Sequence, residues 1–259
     1  MFSCVHCDFV CSDTEFKENL SVCPSCAYHF RVTARNRLDN FLDPKGRVEI
    51  GSQLVSVDMY DFHDTRSYKD RLKEARDETN ETDAVIVMAG QLLGLPVVTA
   101  AFEFDFMAGT IGSVVGERIV LAVNHALQHG SPFIVFCTSG GARMQESFYS
   151  LYQVAKICAA LGSLADARLP LISVLTDPTM GGLTASIGML GDINIGEPGA
   201  LIGFAGPRVI QQIVHQTLPP GFQRSEFLLQ HGSIDMISDR RELRLTISSL
   251  LSLIHSERK

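Results

Sequence analysis

The sequence predicts an α/β fold. Two observations predict it: short apolar runs typical of buried strands alternate with runs of helical period, and glycine-rich turns join them. The alternation occupies residues 84–259. The chain has 259 residues, 46% of them hydrophobic, which is enough for one full-sized core and a small appendage.

The first clear strand signal covers residues 95–106. Three phenylalanines at every second position share one face, and Glu103 and Asp105 fall on the other. Gly109 and Gly112 then precede a predicted helix with apolar residues at helical spacing. A short apolar run at 133–136 predicts the next buried strand, which we expect to end at residues 139–141.

Two glycine pairs stand where a buried strand gives way to a helix. Gly140 and Gly141 follow the strand at 133–136, and Gly181 and Gly182 follow a strand predicted at 169–175. Exposed N–H groups at a helix N-terminus form a natural site for an oxyanion or a phosphate. We therefore expect these four glycines to be backbone N–H donors of an active site. Each pair taken alone is also compatible with an ordinary loop.

Neither glycine pair fits the dinucleotide fingerprint or a P-loop with its lysine, which argues against nucleotide hydrolysis. After the first pair, a helix is predicted with one apolar stripe. The stripe comprises Met144, Phe148, Leu151 and Ala155. Near the C-terminus, Asp239 and Glu242 are spaced for a capping box in front of a last helix. Its apolar face comprises Leu243, Ile247, Leu250 and Ile254.

Four N-terminal cysteines have the spacing of a zinc ribbon. They are Cys4, Cys7, Cys23 and Cys26. Two residues between paired cysteines let one tight turn present both thiolates to a tetrahedral ion. A segment of about 30 residues cannot bury enough apolar surface to fold alone, so the metal must supply folding energy. Four protein ligands predict a structural zinc. His6 and Cys11 are alternative ligands, although neither keeps the paired spacing.

Composition limits the remaining function classes. The formal net charge is −7, so the whole chain is not an electrostatic nucleic-acid binder. Arg31, Arg35 and Arg37 nevertheless cluster after the cysteines; we interpret them as a solvated helix face, with a nucleic-acid contact as the alternative. The cysteine pairs indicate a reducing compartment, and neither a signal peptide nor a transmembrane stretch is predicted. We expect a cytoplasmic protein.

Seven segments resemble the carboxyltransferase β-subunit family of bacterial and plastid acetyl-CoA carboxylases. They include Ser139-Gly-Gly-Ala-Arg-Met-Gln-Glu146 and Leu175-Thr-Asp-Pro-Thr-Met-Gly-Gly182. The others are residues 66–78, 112–118, 190–195, 200–210 and 220–228. The four-cysteine ribbon is that family's hallmark, and the resemblance covers nearly the whole chain. It implies a crotonase-like (ClpP/crotonase) core of ββα units behind the ribbon.

The resemblance also implies a reaction. The family transfers a carboxyl group from carboxybiotin to acetyl-CoA, giving malonyl-CoA for fatty acid synthesis, with no obligatory side-chain base. By resemblance, Gly181 and Gly182 serve the biotin-side oxyanion, while Gly140 and Gly141 shape the neighbouring acyl-CoA and biotin pocket. Candidate contacts for the CoA adenine or phosphates are Lys69, Arg71 and Arg143, for which ion pairing is an equal alternative.

The family's active site is completed by a separate α subunit. The resemblance therefore implies an α2β2 heterotetramer that the biotin carboxyl carrier protein visits, with biotin carboxylase in the wider complex. We expect little activity from this chain alone. The expected domains are a ribbon at 1–30 and a carboxyltransferase domain at 31–259, of which 31–83 is a polar lead-in.

The sequence departs from the family at Ala108, where a second glycine is usual, and at Thr110–Ile111, where Ser-Met is usual. The chain also begins close to Cys4, without the lead segment common in the family. Two alternatives to a carboxyltransferase stay open. A decarboxylase of carboxylated acyl-CoA would need neither biotin nor an α subunit, and a serine peptidase would need Ser139 or Ser186 beside a base.

Overall fold

A computed structural model describes residues 1–256 of the chain. The strands are β1 (Phe2–Ser3), β2 (Val10–Cys11), β3 (Val48–Glu49), β4 (Val85–Leu92), β5 (Leu95–Phe102), β6 (Phe133–Ser139), β7 (Leu171–Met180), β8 (Ile193–Gly196), β9 (Ile202–Gly203) and β10 (Met236–Ile237). The helices are α1 (Asp13–Glu18), α2 (Ala34–Phe41), α3 (Tyr68–Thr79), α4 (Ser113–His129), α5 (Ser147–Asp166), α6 (Gly181–Leu183), α7 (Pro207–Val214), α8 (Ser225–Gln230) and α9 (Leu243–Ser256). Short 3₁₀ turns occupy Met107–Gly109 and Met144–Glu146, and a π-helical turn occupies Thr184–Gly188.

The core is one mixed sheet in the order β10-β8-β7-β6-β5-β4-β3, to which β9 is added beside the end of β7. β3, β4 and β5 are antiparallel neighbours, whereas β5, β6, β7, β8 and β10 run parallel. The connection from β5 to β6 passes through α4 and that from β6 to β7 through α5, because parallel neighbours need a crossover, usually a helix. The predicted α/β alternation is therefore confirmed.

The two faces of the sheet bury different side chains because strand residues alternate. In β6, Phe133 and Val135 face one hydrophobic cluster, which also contains residues of α3, α4 and α5. Ile134 and Phe136 face a second cluster, which contains residues of α2 and α9. Helices thus cover both faces, which explains why β6 is buried throughout.

The strand predicted over residues 95–106 ends earlier than expected, at Phe102. Glu103 was expected on a polar face but is only 2% exposed. Its carboxylate accepts hydrogen bonds from the backbone N–H groups of Ala34, at 2.8 Å, and Asp105, at 3.1 Å. It therefore accepts from an N–H group in the first turn of α2, which explains why this carboxylate can be buried.

The apolar stripe predicted for α5 faces solvent. Phe148 is 68% exposed and Leu151 is 60% exposed, and Met144 in the preceding turn is 79% exposed. The helix instead packs on the core through Ile157, Leu161 and other residues. Exposure of such a stripe is unusual for a single chain and marks a contact surface.

The last helix packs as predicted, with Leu243 and Ile247 buried in the second cluster. The capping box does not form, because the Asp239 carboxylate binds the backbone and guanidinium of Arg241 at 2.9 and 2.8 Å. In residues 1–256, no helix is both long and apolar enough to cross a membrane.

The solvated face expected for the arginines after the ribbon holds in part for Arg31 and Arg35 and is wrong for Arg37. Arg37 is buried and pairs with Glu197. Arg35 pairs with Glu49 and Glu81 at 2.9 and 2.7 Å. The side chains of Arg31 and Arg35 are 42% and 39% exposed, and the Arg31 guanidinium lies 3.8 Å over the Phe104 ring and 3.7 Å from Asp105. Because their charges are already paired, this cluster offers little to a nucleic-acid phosphate.

Candidate functional site

The two glycine turns touch each other at the carboxyl ends of β6 and β7. These strands pair in parallel, with Ser139 opposite Thr179, so the turns that follow them lie side by side. A Cβ built on Gly181 would lie 2.9 Å from the Gly141 Cα, and one built on Gly141 would lie 3.4 Å from the Gly182 nitrogen. The four glycines predicted from sequence are thus brought together.

Positive φ angles explain two of the four glycines. Gly141 has φ 121° and Gly181 has φ 61°, conformations that residues with a side chain rarely adopt. A Cβ on Gly181 would in addition clash with the Gly141 Cα at 2.9 Å, and one on Gly141 would be tight against the Gly181 Cα at 3.3 Å. Gly182 has ordinary backbone angles and space for a methyl group, with the Val154 Cγ2 3.5 Å away.

Three of the four glycine N–H groups are used inside the chain. Gly140 donates to the Ala108 carbonyl at 2.8 Å, Gly141 to the Ser139 Oγ at 2.9 Å, and Gly181 to the Phe204 carbonyl at 3.0 Å. These donors differ from the sequence prediction, which took all four N–H groups as available. Their bonds hold the turns in shape instead.

Two N–H groups at the turns have no hydrogen-bond partner within residues 1–256: those of Gly182 and Ala142. The Ala142 nitrogen lies 3.6 Å from where a Cβ of Gly182 would stand, so the two donors are close neighbours. Sequence reasoning missed Ala142. Its position directly after the glycine pair could have indicated it, because the backbone there no longer pairs with a neighbouring strand and its N–H group is left available.

The turn at Gly181 and Gly182, which follows β7, is supported by residues on and after β9. Thr184 Oγ1 donates to the carbonyls of Thr179, at 2.9 Å, and Gly203, at 3.0 Å. Gln223 donates to the Ala205 carbonyl at 2.9 Å and packs where a side chain on Gly203 would lie. The segment carrying the Phe204 acceptor is therefore fixed.

A groove of about 490 Å³ opens beside the turn at Gly140 and Gly141, which follows β6. Its lining includes Arg71, Glu78, Asp105, Ala108, Gly140, Ala142 and Met144. Arg71 is thus the one of the three predicted CoA contacts that lines the groove, and its guanidinium also binds Asp64 at 2.6 Å. Lys69 lies outside this lining, exposed and 3.0 Å from Asp61.

Arg143 lies beneath the groove. Its side chain is fully buried and binds Asp83 at 2.8 Å and Glu146 at 3.3 Å. A group with no exposed surface cannot meet a phosphate in the groove, so the predicted CoA contact does not fit its position. Burial raises the pKa of Asp83, but the neighbouring guanidinium outweighs it and holds that pKa below the ordinary value.

The groove wall at 107–109 has an unusual backbone. Met107, Ala108 and Gly109 all have positive φ, at 49°, 56° and 64°. A Cβ on Gly109 would lie 2.4 Å from the Thr138 carbonyl oxygen, so glycine is required there. Glycine is usual at position 108 in the carboxyltransferase β-subunit family that the sequence resembles. Ala108 adopts the same left-handed conformation despite its Cβ.

The four predicted metal ligands form one cluster. The Sγ atoms of Cys4 and Cys26 are 3.7 Å apart, as are those of Cys7 and Cys23, and all four lie within 4.8 Å of one another. A tetrahedral zinc with Zn–S bonds of 2.3 Å gives sulfur separations of about 3.8 Å, so the donor set fits zinc. His6 stacks on Tyr28 instead of joining the cluster.

Arg240 joins the ribbon to the sheet. Its guanidinium donates to the ribbon carbonyls of Leu20, at 3.0 Å, and Phe30, at 2.8 Å. It also binds Glu197, which follows β8 and is 2% exposed, at 2.7 Å. Arg37 binds the same carboxylate from α2. One buried acid thus connects the ribbon, α2 and the sheet.

Residues 48–219 match the family described as the carboxyl transferase domain, which is more than half of the chain. The chain belongs to the carboxyl transferase domain family. The predicted crotonase-like α/β fold and the four-cysteine cluster are therefore both confirmed.

Several solved structures superpose on most of the chain. Transcarboxylase 12S, with methylmalonyl-coenzyme A and methylmalonic acid bound, has a TM-score of 0.72 and 30% identity over 86% of this chain and 41% of its own. This chain therefore spans about two fifths of that protein. A Pseudomonas malonate decarboxylase hetero-dimer has a TM-score of 0.65 and 25% identity over 85% of this chain and 86% of the matched chain. The P. aeruginosa geranyl-CoA carboxylase β subunit, at 16% identity and a TM-score of 0.66, covers 90% of this chain and 42% of its own, and shows the same fold.

Proposed function

We propose that the chain is the β half of an acetyl-CoA carboxylase carboxyltransferase. It transfers the carboxyl group of carboxybiotin, borne on a carrier protein, to acetyl-CoA and yields malonyl-CoA. The observation that carries the proposal is the pair of unbonded N–H groups, Ala142 and Gly182, where two glycine turns touch beside a groove. The family match and the bound CoA ester of transcarboxylase 12S support the substrate class.

The chemistry needs a site for a developing oxyanion. When acetyl-CoA loses a proton from its methyl group, negative charge moves onto the thioester oxygen. The carbanion carbon then bonds to the carboxyl carbon as the N–C bond of carboxybiotin breaks, and the biotin nitrogen so released would take up the methyl proton. Preorganised N–H donors stabilise such an oxygen, and loss of one donor costs about 3–4 kcal/mol of transition-state stabilisation. Biotin supplies the carboxyl group that is transferred.

We assign Ala142 and Gly182 to the same oxygen, because their N–H groups are neighbours. This replaces the division expected from resemblance, in which Gly181 and Gly182 serve the biotin-side oxyanion and Gly140 and Gly141 shape the neighbouring acyl-CoA and biotin pocket. Gly140, Gly141 and Gly181 hold the shape of the turns through their internal hydrogen bonds. Arg71, at the groove wall, is our candidate contact for a CoA phosphate.

The proposed partner is an α subunit that docks on the exposed apolar surface. This surface comprises Met144, Phe148, Leu151, Tyr152 and Phe204, which are between 54% and 79% exposed. It is continuous with the groove through Met144 and with the second turn through the Phe204 carbonyl. Apolar patches beside an active site are typical of subunit interfaces. An α2β2 assembly visited by the biotin carboxyl carrier protein, with biotin carboxylase in the wider complex, follows from this assignment.

A reconstitution tests the proposal. The purified chain and an α subunit are mixed with carboxybiotinylated carrier protein and acetyl-CoA, and malonyl-CoA is measured, with each subunit alone as the control. We expect product only in the mixture. A stable complex without product would contradict the assigned reaction, and failure to form a complex would contradict the assigned partner.

A second candidate is decarboxylation of a carboxylated acyl thioester, because the same two donors would stabilise the enolate that remains after loss of carbon dioxide. The favouring observation is that the chain covers 86% of one chain of the malonate decarboxylase hetero-dimer. Release of carbon dioxide from malonyl-CoA without biotin, and no carboxyl transfer with it, would select this candidate.

A further inference from the structure

A buried cluster of polar side chains lies directly beneath the groove. We name it the Arg143 cluster; it comprises Ser56, Tyr68, Asp83, Arg143 and Glu146. Each of these residues is at most 2% exposed. Charged groups are seldom buried this deeply unless they are paired and hydrogen-bonded. The bonds they make therefore indicate what the cluster holds in place.

Arg143 binds one wall of the groove through its guanidinium. Nη2 donates to the Thr110 carbonyl at 2.9 Å and to Asp83 Oδ1 at 2.8 Å, and Nε donates to Thr110 Oγ1 at 3.3 Å. Thr110 also lines the groove. A planar guanidinium can make these divergent bonds at once, whereas the single ammonium of lysine cannot.

Glu146 extends the cluster to two helices. Its Oε1 accepts from the Tyr68 hydroxyl of α3 at 2.6 Å, and its Oε2 accepts from the Ser113 backbone N–H at the start of α4, also at 2.6 Å. A Cβ on Gly112 would lie 2.6 Å from Glu146 Oε1 and 2.7 Å from Arg143 Nη1. The glycine before α4 thus makes room for the cluster.

The backbone joins the same two segments. Ile111 donates to the Gly141 carbonyl at 2.8 Å, and Arg143 donates to the Ile111 carbonyl at 2.9 Å. Ala142 lies between these two bonds and is held from both sides. The segments 107–112 and 139–146 are therefore fixed to each other by backbone bonds above and by the Arg143 side chain below.

We propose that Arg143 is a positioning residue that fixes the Ala142 N–H against the Gly182 N–H. It does not touch substrate; it acts through Thr110, Asp83 and Glu146 on the two segments that carry and flank the donor. The effect on turnover rests on the proposed function, while the effect on the backbone does not. A donor that moves by about 1 Å costs about a hundredfold in rate.

Arg118 provides a matched control. It is also fully buried, at 1% exposure, and its guanidinium donates to the carbonyls of Gly51, Leu54 and Val85 at 3.0, 2.9 and 2.6 Å. It hydrogen-bonds neither groove segment. Arg118 also donates to Thr82 Oγ1, next to Asp83 in the chain. Arg118→Lys therefore removes comparable buried bonds that reach neither groove segment, whereas Arg143→Lys removes bonds made to the groove segments themselves.

The experiment compares the two lysine variants in the complex with the α subunit. Hydrogen–deuterium exchange is measured for peptides covering 107–112 and 139–146, together with kcat, KM and the melting temperature. For Arg143→Lys we expect exchange of both segments to be about tenfold faster, as when a charged hydrogen bond no longer opposes local opening. We expect kcat to fall about a hundredfold with little change in KM. For Arg118→Lys we expect a similar fall in melting temperature, while the exchange rates of both segments and kcat stay unchanged.

Equal losses of kcat in both variants, or unchanged exchange of the two segments in Arg143→Lys, would overturn the proposal. A rise in KM alone would also overturn it, because it would indicate a substrate contact. If Arg143→Lys does not fold, Tyr68→Phe is measured instead: it removes the hydroxyl that donates to Glu146 at 2.6 Å and accepts from Arg143 Nη1 at 3.3 Å. Faster exchange at 107–112 and 139–146 with reduced kcat is still required. If the wild-type complex has no carboxyltransferase activity, the proposed function fails, and the exchange measurements still decide the role of Arg143.

Discussion

Gly141 and Gly181 are in backbone contact: a Cβ on Gly181 would lie 2.9 Å from the Gly141 Cα and 3.2 Å from the Gly140 carbonyl oxygen. The turn after β6 and the turn after β7 therefore depend on each other for their shape. Neither neighbour can yield, because both contacts are backbone atoms. The spacing between the two unbonded donors is set by this contact.

Gly181→Ala tests the contact. The change adds a side chain at φ 61° and pushes it into the first turn. We expect the free energy of unfolding to fall by about 2–4 kcal/mol, from left-handed strain and overpacking together. Carboxyl transfer should be lost, because the donors separate. Chemical denaturation and the malonyl-CoA assay measure the two effects.

Gly130→Ala is the control for strain without contact. Gly130 also has φ 61°, at the end of α4, and nothing lies within 4 Å of its Cβ position. We expect a loss of about 1 kcal/mol and full activity. Equal stability and equal activity of the two variants would show that the contact between the turns affects neither folding nor catalysis.

Ala108→Gly should stabilise the protein. Ala108 has φ 56° between two other left-handed residues, and glycine adopts that conformation without the Cβ penalty. We expect a gain on the order of 1 kcal/mol, since strain relief exceeds the added freedom of the unfolded chain. Ala167→Gly, at φ −77° after α5, relieves no strain and should destabilise. A lower melting temperature for Ala108→Gly would contradict the strained loop.

The glycine turns and the cysteine cluster could be predicted from sequence because both depend on local spacing. A strand followed by Gly-Gly and a helix specifies where a turn lies, and parallel pairing then brings two such turns together. Cys-x-x-Cys pairs likewise specify a metal knuckle. In both cases the chemistry follows from residues within a few positions of one another.

Partners distant in the sequence could not be predicted in this way. Arg143 is adjacent to the glycine turn, but its burial is decided by Asp83, 60 positions away. Arg37 is buried by Glu197, 160 positions away. The stripe containing Phe148 has the period of a packed helix face, and period alone does not tell whether the packing is within the chain or against a partner. Hydrogen-bond partners of N–H groups in turns also require coordinates.

Cys26→Ser is expected to remove the metal. Only three thiolates would remain, and the ribbon cannot fold on its small apolar core. We expect bound zinc, measured by elemental analysis after dialysis, to fall from about one per chain to near zero, with rapid proteolysis within residues 1–30. Cys11→Ser is the control: Cys11 is buried in the ribbon but lies outside the four-cysteine cluster. Equal zinc loss in both variants would contradict the ligand assignment.

Glu197→Gln should destabilise the protein in a pH-dependent way. The variant leaves the buried guanidinium groups of Arg37 and Arg240 without their counter-ion, which costs about 3–5 kcal/mol at pH 7. Burial alone would raise the pKa of Glu197, but the two arginines outweigh it and hold that pKa well below the ordinary value.

The sign follows from that lowered pKa. On acidification the unfolded chain takes up the proton first, near pH 4.3, so the wild-type pair begins to lose its contribution there and loses it progressively as the pH falls toward the lowered pKa of the folded state. The difference between wild type and Glu197→Gln should therefore be largest at neutral pH and shrink in acid. Urea denaturation at pH 7 and pH 4 measures it, with Glu18→Gln on the exposed side of α1 as control. A difference that is constant with pH would contradict the buried ion pair.

Leu151→Ser should weaken binding of the α subunit. Leu151 is 60% exposed at the centre of the apolar surface on α5, so the change removes contact area from the proposed interface while the monomer loses little packing. Leu245→Ser is the matched control, because Leu245 is 66% exposed on α9, which covers the opposite face of the sheet. Titration calorimetry with the α subunit should give a Kd at least about tenfold higher for Leu151→Ser, a loss of about 1.4 kcal/mol, and an unchanged Kd for Leu245→Ser. Equal affinities for the two variants would place the partner elsewhere on the chain, and the exposed stripe of α5 would then need another explanation.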